Sequence, residues 1–232
     1  MRVLVTGSSR GIGKAIAEKF IAEGHEVIGI DRNPGTIVAA GGEIDYSKDD
    51  VSGKSTYTHF IADIRKTSEY PKLPPIDILI NNAGVQNEDD ININLRGTMN
   101  ITECYALHPG IKAVLVIGSA SAQTGSEFPE YAASKAGLSA YVKNVALRIA
   151  QFGATCNGLD FGGVITELNA PVMDDDKLWS EIMELTPMKR WMSVEETADW
   201  AYFMTVTNRF CTGQNILIDG LEAGNCHFVW PE

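Results

Sequence analysis

The stretch Arg2-Val3-Leu4-Val5-Thr6-Gly7-Ser8-Ser9-Arg10-Gly11-Ile12-Gly13 changes character twice. Arg2 to Thr6 is a short apolar run of the kind that makes a buried strand. Gly7 to Gly13 is glycine-rich, and Ile12, Ile16, Ala17, Phe20 and Ile21 then recur on one helical face as far as Gly24. The order is strand, glycine turn, helix. Glycines let the backbone turn tightly and approach a pyrophosphate, and the helix N-terminus offers that anion free N–H groups and a positive dipole end. A plain tight turn would also need glycine. The place of this one, at the first strand-to-helix junction, favours dinucleotide binding by Gly7, Ser9, Arg10, Gly11, Ile12 and Gly13.

Working outward, Glu26 to Ile30 reads as a second strand ending at Asp31. An acidic residue about 20 positions past the glycine turn is where an adenosine ribose 2′-OH is read. A carboxylate there accepts from the diol of NAD and repels the 2′-phosphate of NADP. Arg10 and Arg32 are both placed to pair with such a phosphate, so NAD(H) is favoured and NADP(H) stays open. Asn33 to Ser55 is polar with poor periodicity and is expected to form a short helix or irregular crossover. Further strands are expected at Tyr57–Ile61, Ile76–Ile80, Lys112–Gly118, Ala154–Leu159 and Asn215–Ile218. Helices are expected at Ile91–Leu107, from Tyr131 to about Gln151, and at Val194–Val206. Strands alternating with helices imply an α/β fold, an open and mostly parallel sheet covered on both faces. Ligands of such sheets bind at the carboxyl ends of strands, near the switch point. Gly7 to Gly13, Asp31, Asp63, Asn82, Ser119 and Thr166 each follow a strand.

The chain has 232 residues, 44% of them hydrophobic, enough for one large domain over 1–232. A formal charge of −11 argues against nucleic acid or an anionic membrane as the main partner. No apolar run approaches a membrane span and no signal peptide precedes the first strand. Four scattered cysteines and four histidines show no metal-ligand or disulfide spacing, so no metal is expected and a reducing cytoplasm is.

Tyr131 and Lys135 lie one helical turn apart on one face. A free tyrosine is a poor acid or base at neutral pH, and a neighbouring ammonium favours its phenolate. The pair is therefore a plausible proton-transfer device, although a solvated helix face carries the same residues by chance.

Taken in order, these segments resemble the short-chain dehydrogenase/reductase family over nearly the whole chain. Thr6 to Gly13 matches its T-G-x-x-x-G-x-G, Asn81-Asn82-Ala83-Gly84 its N-N-A-G, and Tyr131 with Lys135 its Y-x-x-x-K. Asp63-Ile64 looks like its adenine-side contact, and Asn94 like its helix asparagine. Ser119, 12 residues before Tyr131 and one short of the common spacing, looks like its serine. Thr212-Gly213-Gln214 and Ile218-Asp219-Gly220 resemble its closing strand. The resemblance implies a single Rossmann-type, doubly wound parallel sheet of about seven strands. It implies hydride transfer between a nicotinamide and a secondary alcohol or ketone. Tyr131 would be the general acid or base, Lys135 would hold the nicotinamide ribose and the tyrosine, Ser119 would bond the substrate oxygen, and Asn94 would support a relaying water. Asn82, Ala83, Gly84, Val164 and Thr166 join the cofactor set, with Thr166 at the carboxamide.

Ser121 is the rival to Ser119, while Ser134 is expected only to pack or meet solvent. The family's P-G is Phe161-Gly162 here, and Phe161 is expected to fill space. Only ten residues lead from Gly84 to Asn94, where the family has about two dozen; the shortening is expected to open one wall of the substrate cleft. Residues 167–190 correspond to a substrate lid, with Leu178, Ile182 and Leu185 on one side of a short helix and Asp174 to Asp176 a solvated helix start. A homodimer or homotetramer acting on a small alcohol or carbonyl compound is what the family implies. A non-catalytic dinucleotide-binding regulator is the alternative, distinguished by binding without turnover.

Overall fold

Residues 1–37, 57–126 and 128–224 are described by a computed structural model. In chain order it forms β1 (Arg2–Thr6), α1 (Gly11–Ala22), β2 (Glu26–Asp31), β3 (Tyr57–Ile61), β4 (Ile78–Asn81), α2 (Thr98–Tyr105) and β5 (Ala113–Ile117). Then come α3 (Ser121–Thr124), α4 (Pro129–Ile149), β6 (Thr155–Phe161), α5 (Ala170–Met173), α6 (Asp176–Leu185), α7 (Val194–Tyr202) and β7 (Asn215–Ile218). All seven strands are parallel, in the order β3-β2-β1-β4-β5-β6-β7. The chain winds outward from β1 to β3, returns to place β4 on the other side of β1, and continues to β7. The switch point therefore lies between the carboxyl ends of β1 and β4, where Thr6 and Asn81 end their strands.

A parallel sheet covered on both faces needs strands apolar on both sides. Val3 and Val5, with Ile78, Ile80 and Leu115, face α1 and α7 and pack on Ile16, Phe20, Ala198 and Met204. Leu4, Leu79, Val114 and Val116 face the opposite way, onto Ile101, Val142, Val145 and Ile149. The period-two alternation of strand side chains thus splits one apolar run between two cores. Among the described residues no helix is long and apolar enough to cross a membrane.

Several boundaries differ from the sequence expectation. The helix expected at Ile91–Leu107 opens as a π-helix over Ile91–Gly97 and becomes α-helical only from Thr98. Asn94 sits in the π turn, where its side chain bonds the Val85 backbone and Ser134. The helix bearing Tyr131 starts two residues earlier, with Pro129 in its first turn, where a missing N–H costs nothing. The fourth strand begins at Ile78 rather than Ile76, and β6 runs on to Phe161. A single 3₁₀ turn (Thr67–Glu69) is the regular structure between β3 and β4. The crossover expected over Asn33 to Ser55 lies mostly outside the described residues, and Asn33 to Ile37 is irregular.

α7 is entered through a capping box: Ser193 Oγ accepts the Glu196 N–H at 3.3 Å, and Glu196 accepts the Ser193 N–H at 2.9 Å. Arg190 forks onto both Glu196 oxygens at 2.7 Å. The Arg190 guanidinium, with the Ser193 N–H, pulls the Glu196 carboxyl down from 4.5 to about 2. A depressed carboxylate pKa contributes stability above the ordinary value, and that stability is lost as pH falls from 4.5 towards about 2. Glu196→Gln is expected to remove that part of the acid dependence of Tm, a small part because the pair is exposed. Thermal melts across this pH window check it; parallel curves for the two proteins would contradict it.

Candidate active site

The glycine turn and the loop after β4 are built against each other. Thr6 Oγ1 accepts the N–H groups of Asn82 (3.0 Å) and Ala83 (3.1 Å). Asn82 Nδ2 donates to the carbonyls of Thr6 (3.0 Å) and Gly7 (3.1 Å). Gly7 adopts φ +70°, the left-handed region open to glycine, and a side chain there would meet the Ala83 backbone. At Gly13, inside α1, a Cβ would collide with the Gly7 carbonyl and the Asn82 amide. α1 therefore presses its first turn onto the end of β1. Arg10 precedes it in extended backbone, no side chain caps it, and no acidic residue stands in its first turn. Its leading N–H groups and dipole end are left for an anion.

Asp31, nearly buried at the end of β2, accepts the Ser9 N–H at 3.1 Å and both the N–H and the side-chain amide of Asn33 at 2.9 and 3.2 Å. It joins the glycine turn to the β2 exit. Arg32 lies 3.5 Å from Glu88, a residue of the short Gly84–Asn94 connection. Asp63 takes a fork from Arg65, which reaches on to Asp89 at 3.0 Å. The Arg65 guanidinium holds the Asp63 carboxyl below its usual range. The short connection thus pairs Glu88 and Asp89 with arginines beside Asp31 and Asp63.

Lys135 is buried on α4. Its Nζ donates to the Ile117 carbonyl at 3.0 Å and lies 5.6 Å from the Tyr131 ring centroid. Ser119 and Ser121 are both buried and bonded to each other: Ser119 Oγ donates to Ser121 Oγ at 3.1 Å and accepts the Ser121 N–H at 3.2 Å. The two rival serines form one unit. Asn94 Oδ1 accepts the Val85 N–H at 2.8 Å, and its Nδ2 donates to the Val85 carbonyl (2.9 Å) and Ser134 Oγ (3.1 Å). This ties the π turn to the loop beyond Gly84 and to α4. Ser134, expected merely to pack or meet solvent, is fully buried and completes this bridge by donating to the Tyr131 carbonyl at 2.7 Å. A hydroxyl inside the Tyr-to-Lys interval carried the only sequence signal for it. Phe161 is buried in the α1/α7 core, the packing role expected of it.

A continuous cavity runs across this edge of the sheet. Gly7, Arg10, Gly11 and Ile12 line it beside Asp31, Arg32, Asp63 and Ile64. Asn82, Ala83 and Gly84 follow, then Tyr131, Lys135 and Thr166. Ser9, Gly13, Asn94, Ser119 and Val164 stand outside the lining. Ser9, Gly13 and Asn94 hold lining residues in place. Val164 is a buried core residue bridged to Met192. Sequence reasoning missed Gln86 and Glu167, which also line the cavity. Glu167 Oε2 lies 3.7 Å from the point a Gly11 Cβ would occupy, over the glycine turn, and no motif marks it.

A family model described as Enoyl-(Acyl carrier protein) reductase matches residues 7–220. Over 94% of the chain and 90% of the relative, the sequence is 29% identical to glucose 1-dehydrogenase of Gluconobacter oxydans (strain 621H). It is 30% identical to the 3-oxoacyl-[acyl-carrier-protein] reductase of Buchnera aphidicola, covering 93% of this chain and 94% of that one. The fold superposes on 4-hydroxyisoleucine dehydrogenase complexed with NADH with a TM-score of 0.77, at 23% identity over 94% of this chain and 97% of that chain. With the glycine turn, the clamped N-N-A-G loop and the Tyr131–Lys135 turn around one cavity, the chain belongs to the short-chain dehydrogenase/reductase family and is an NAD(P)-dependent oxidoreductase.

Proposed function

We propose that the chain interconverts a secondary alcohol and a ketone, with Tyr131 as general acid–base and NAD(H) as the preferred dinucleotide. The observation that carries this is the position of Lys135: a buried ammonium between the Tyr131 ring and the Ile117 carbonyl, at the end of a cavity that begins at Asp31. The residues fit the dinucleotide. The Gly7 and Gly13 positions admit no side chain, the α1 N-terminus is uncapped, and Asp31 stands where a ribose diol would donate. When bound, the nicotinamide supplies or accepts the hydride.

Tyr131 gives its proton to the carbonyl oxygen in reduction and takes it back in oxidation. The Lys135 charge favours the phenolate, and the buried Ser119–Ser121 unit, set just behind the lining residue Gly118, is assigned the donor to the developing alkoxide. Asn94 and Ser134 keep the Tyr131 turn and the loop beyond Gly84 in register. Asp31 favours NAD by repelling a 2′-phosphate, and Arg32 is drawn towards Glu88 instead of that phosphate's place.

Residues 167–190 act as the substrate lid of a single domain. α6 supports this, since none of its residues is buried and Leu178 and Leu185 are exposed. Asp175 caps α6 by accepting two N–H groups, so the acidic triplet serves as a helix start. Exposed Met99 on α2 and Leu147 on α4 support a homodimer or homotetramer, and the scattered thiols support a cytoplasmic setting. The dehydrogenases and reductases among the relatives suggest the first substrates to try. Steady-state absorbance with D-glucose and D-gluconate plus NAD, and with a 3-oxoacyl thioester plus NADH, is expected to show turnover. The kcat/KM should be at least about tenfold lower with the phosphorylated cofactor. Equal use of NADP would contradict the role of Asp31.

A further inference from the structure

Asp160 lies on β6 one residue before Phe161 and is 1% exposed. Side chains of β6 alternate: Leu159 and Phe161 enter the α1/α7 core, while Cys156 enters the core under α4. Asp160 shares the α4 face with Cys156, on the side of Tyr131 and Lys135. Its carboxyl fills the place a side chain would take at Gly118, the residue between Ile117, which binds Lys135, and Ser119. It accepts from Gln123 Nε2 at 3.1 Å, and the Ser119 N–H also points to it. Gly118 N–H bonds to the Leu159 carbonyl and Ala120 N–H to the Phe161 carbonyl, so both sides of Ser119 are pinned to the strand that carries Asp160.

A buried carboxyl without an arginine is costly, and an apolar residue would fill the same space without that cost. Among the described residues the neighbours offer no other ionic partner. Lys135 of α4 is the charged group whose field reaches Asp160. From α3 comes only the neutral Gln123. On β7, Asn215 turns its amide to the Ser139 carbonyl, and beyond it Asp219 spends its oxygens on the N–H groups of Leu221 and Ala223. Burial pushes the Asp160 pKa up, against the pull of Gln123, Lys135 and the Ser119 N–H.

We propose that Asp160 is the charge partner of Lys135 and the positioning residue of Ser119, setting from behind the site the field in which Tyr131 exchanges its proton. This inference rests on the acid–base role proposed for Tyr131. At the alkaline pH where a tyrosine ionises, a carboxylate is ordinarily an anion, and an anion close by disfavours a phenolate. Removing its charge should make Tyr131 a stronger acid.

Asp160→Asn removes the charge and keeps the shape, since Gln123 can turn its amide to present Oε1. The test is a pH titration of ultraviolet tyrosinate absorbance on the full chain saturated with NADH. The Tyr131 signal is isolated by subtracting the Tyr131→Phe protein in each background. In Asp160→Asn the Tyr131 midpoint is expected to fall by about half a pH unit or more, with NADH affinity within about twofold of the parent. Asp160→Ala, which also frees Ser119 and Gln123, is expected to lower kcat about tenfold with KM little changed, and Asp160→Asn to restore most of it. An unmoved or raised midpoint in Asp160→Asn, at unchanged NADH affinity, overturns the proposal whatever happens to Tm. Should Asp160→Ala not fold, the Asn titration decides alone. If the parent protein does not bind NADH, it is the dinucleotide reading that fails.

Discussion

Tyr131→Phe is expected to lower kcat by about a thousandfold while leaving NADH affinity within a few-fold of the parent. The loss is that large because the substitution removes one atom, the hydroxyl proposed to carry the transferred proton, and the neighbouring donors are already engaged. Ser119 already donates to Ser121, and the Lys135 ammonium donates to the Ile117 carbonyl. The fold should tolerate the change. Tyr131 is only half-buried, and the α4 contacts that hold its turn, from Ser134 to Asn94 and to the Tyr131 carbonyl, do not involve the phenol. Parallel steady-state kinetics and NADH fluorescence titration separate the effects. A kcat within about tenfold of the parent would leave Tyr131 as a bystander and move the search to other donors.

Gly13→Ala carries the second large effect, through the fold and the cofactor together. Alanine in a helix interior gains roughly 1 kcal/mol over glycine by propensity. Here the new methyl would collide with the Gly7 carbonyl and the Asn82 side chain, neither of which is free to move. The carbonyl is backbone in a left-handed turn, and the Asn82 amide is held by two carbonyls of the β1 exit. Overpacking of this kind costs about 1–3 kcal/mol, enough to cancel the helical gain and leave a net loss. Relief requires α1 to back away from β1, which takes its N–H groups out of range of a pyrophosphate. NADH affinity is therefore expected to fall by at least about tenfold, together with a lowered denaturation midpoint. A variant more stable than the parent with undiminished NADH binding would show that this close approach is not used.

The sheet was legible because its strands announce themselves twice. Val3 to Val5 and Ile78 to Ile80 are apolar on both faces, and Gly7 and Asn82 mark where they stop. Parallel pairing then follows from the helices between strands. The order of the strands was not in those patterns; the whole set of motifs implied only a doubly wound sheet of about seven strands, and the structure supplies the order. The candidate residues were legible as types at fixed spacings, which is why Gly7, Asp31, Asn82, Tyr131 and Lys135 line one cavity. What stayed hidden depends on contacts between distant segments. Ser134 looks like any helix serine until Asn94 arrives from forty residues away. Glu167 carries no motif, and its place over Gly11 is a product of the β6 exit loop. The π turn at Asn94 is likewise hidden in the sequence, because the bonds that Asn94 makes to Val85 and Ser134 join segments far apart in the chain. The expected sixth strand stopped at Leu159, one residue short of Asp160. Only the extension of β6 to Phe161 puts its side chain on the α4 face.

Titration of the purified protein with NADH and with NADPH, followed by nicotinamide fluorescence, addresses the central claim most directly. Saturable binding of NADH, with NADPH at least about tenfold weaker, is the predicted result, because Asp31 ends β2 at the position proposed to read the ribose diol and Arg32 is drawn to Glu88. Tighter binding of NADPH would mean that Arg10 and Arg32 override Asp31. Binding of neither would contradict the account from the glycine turn onward.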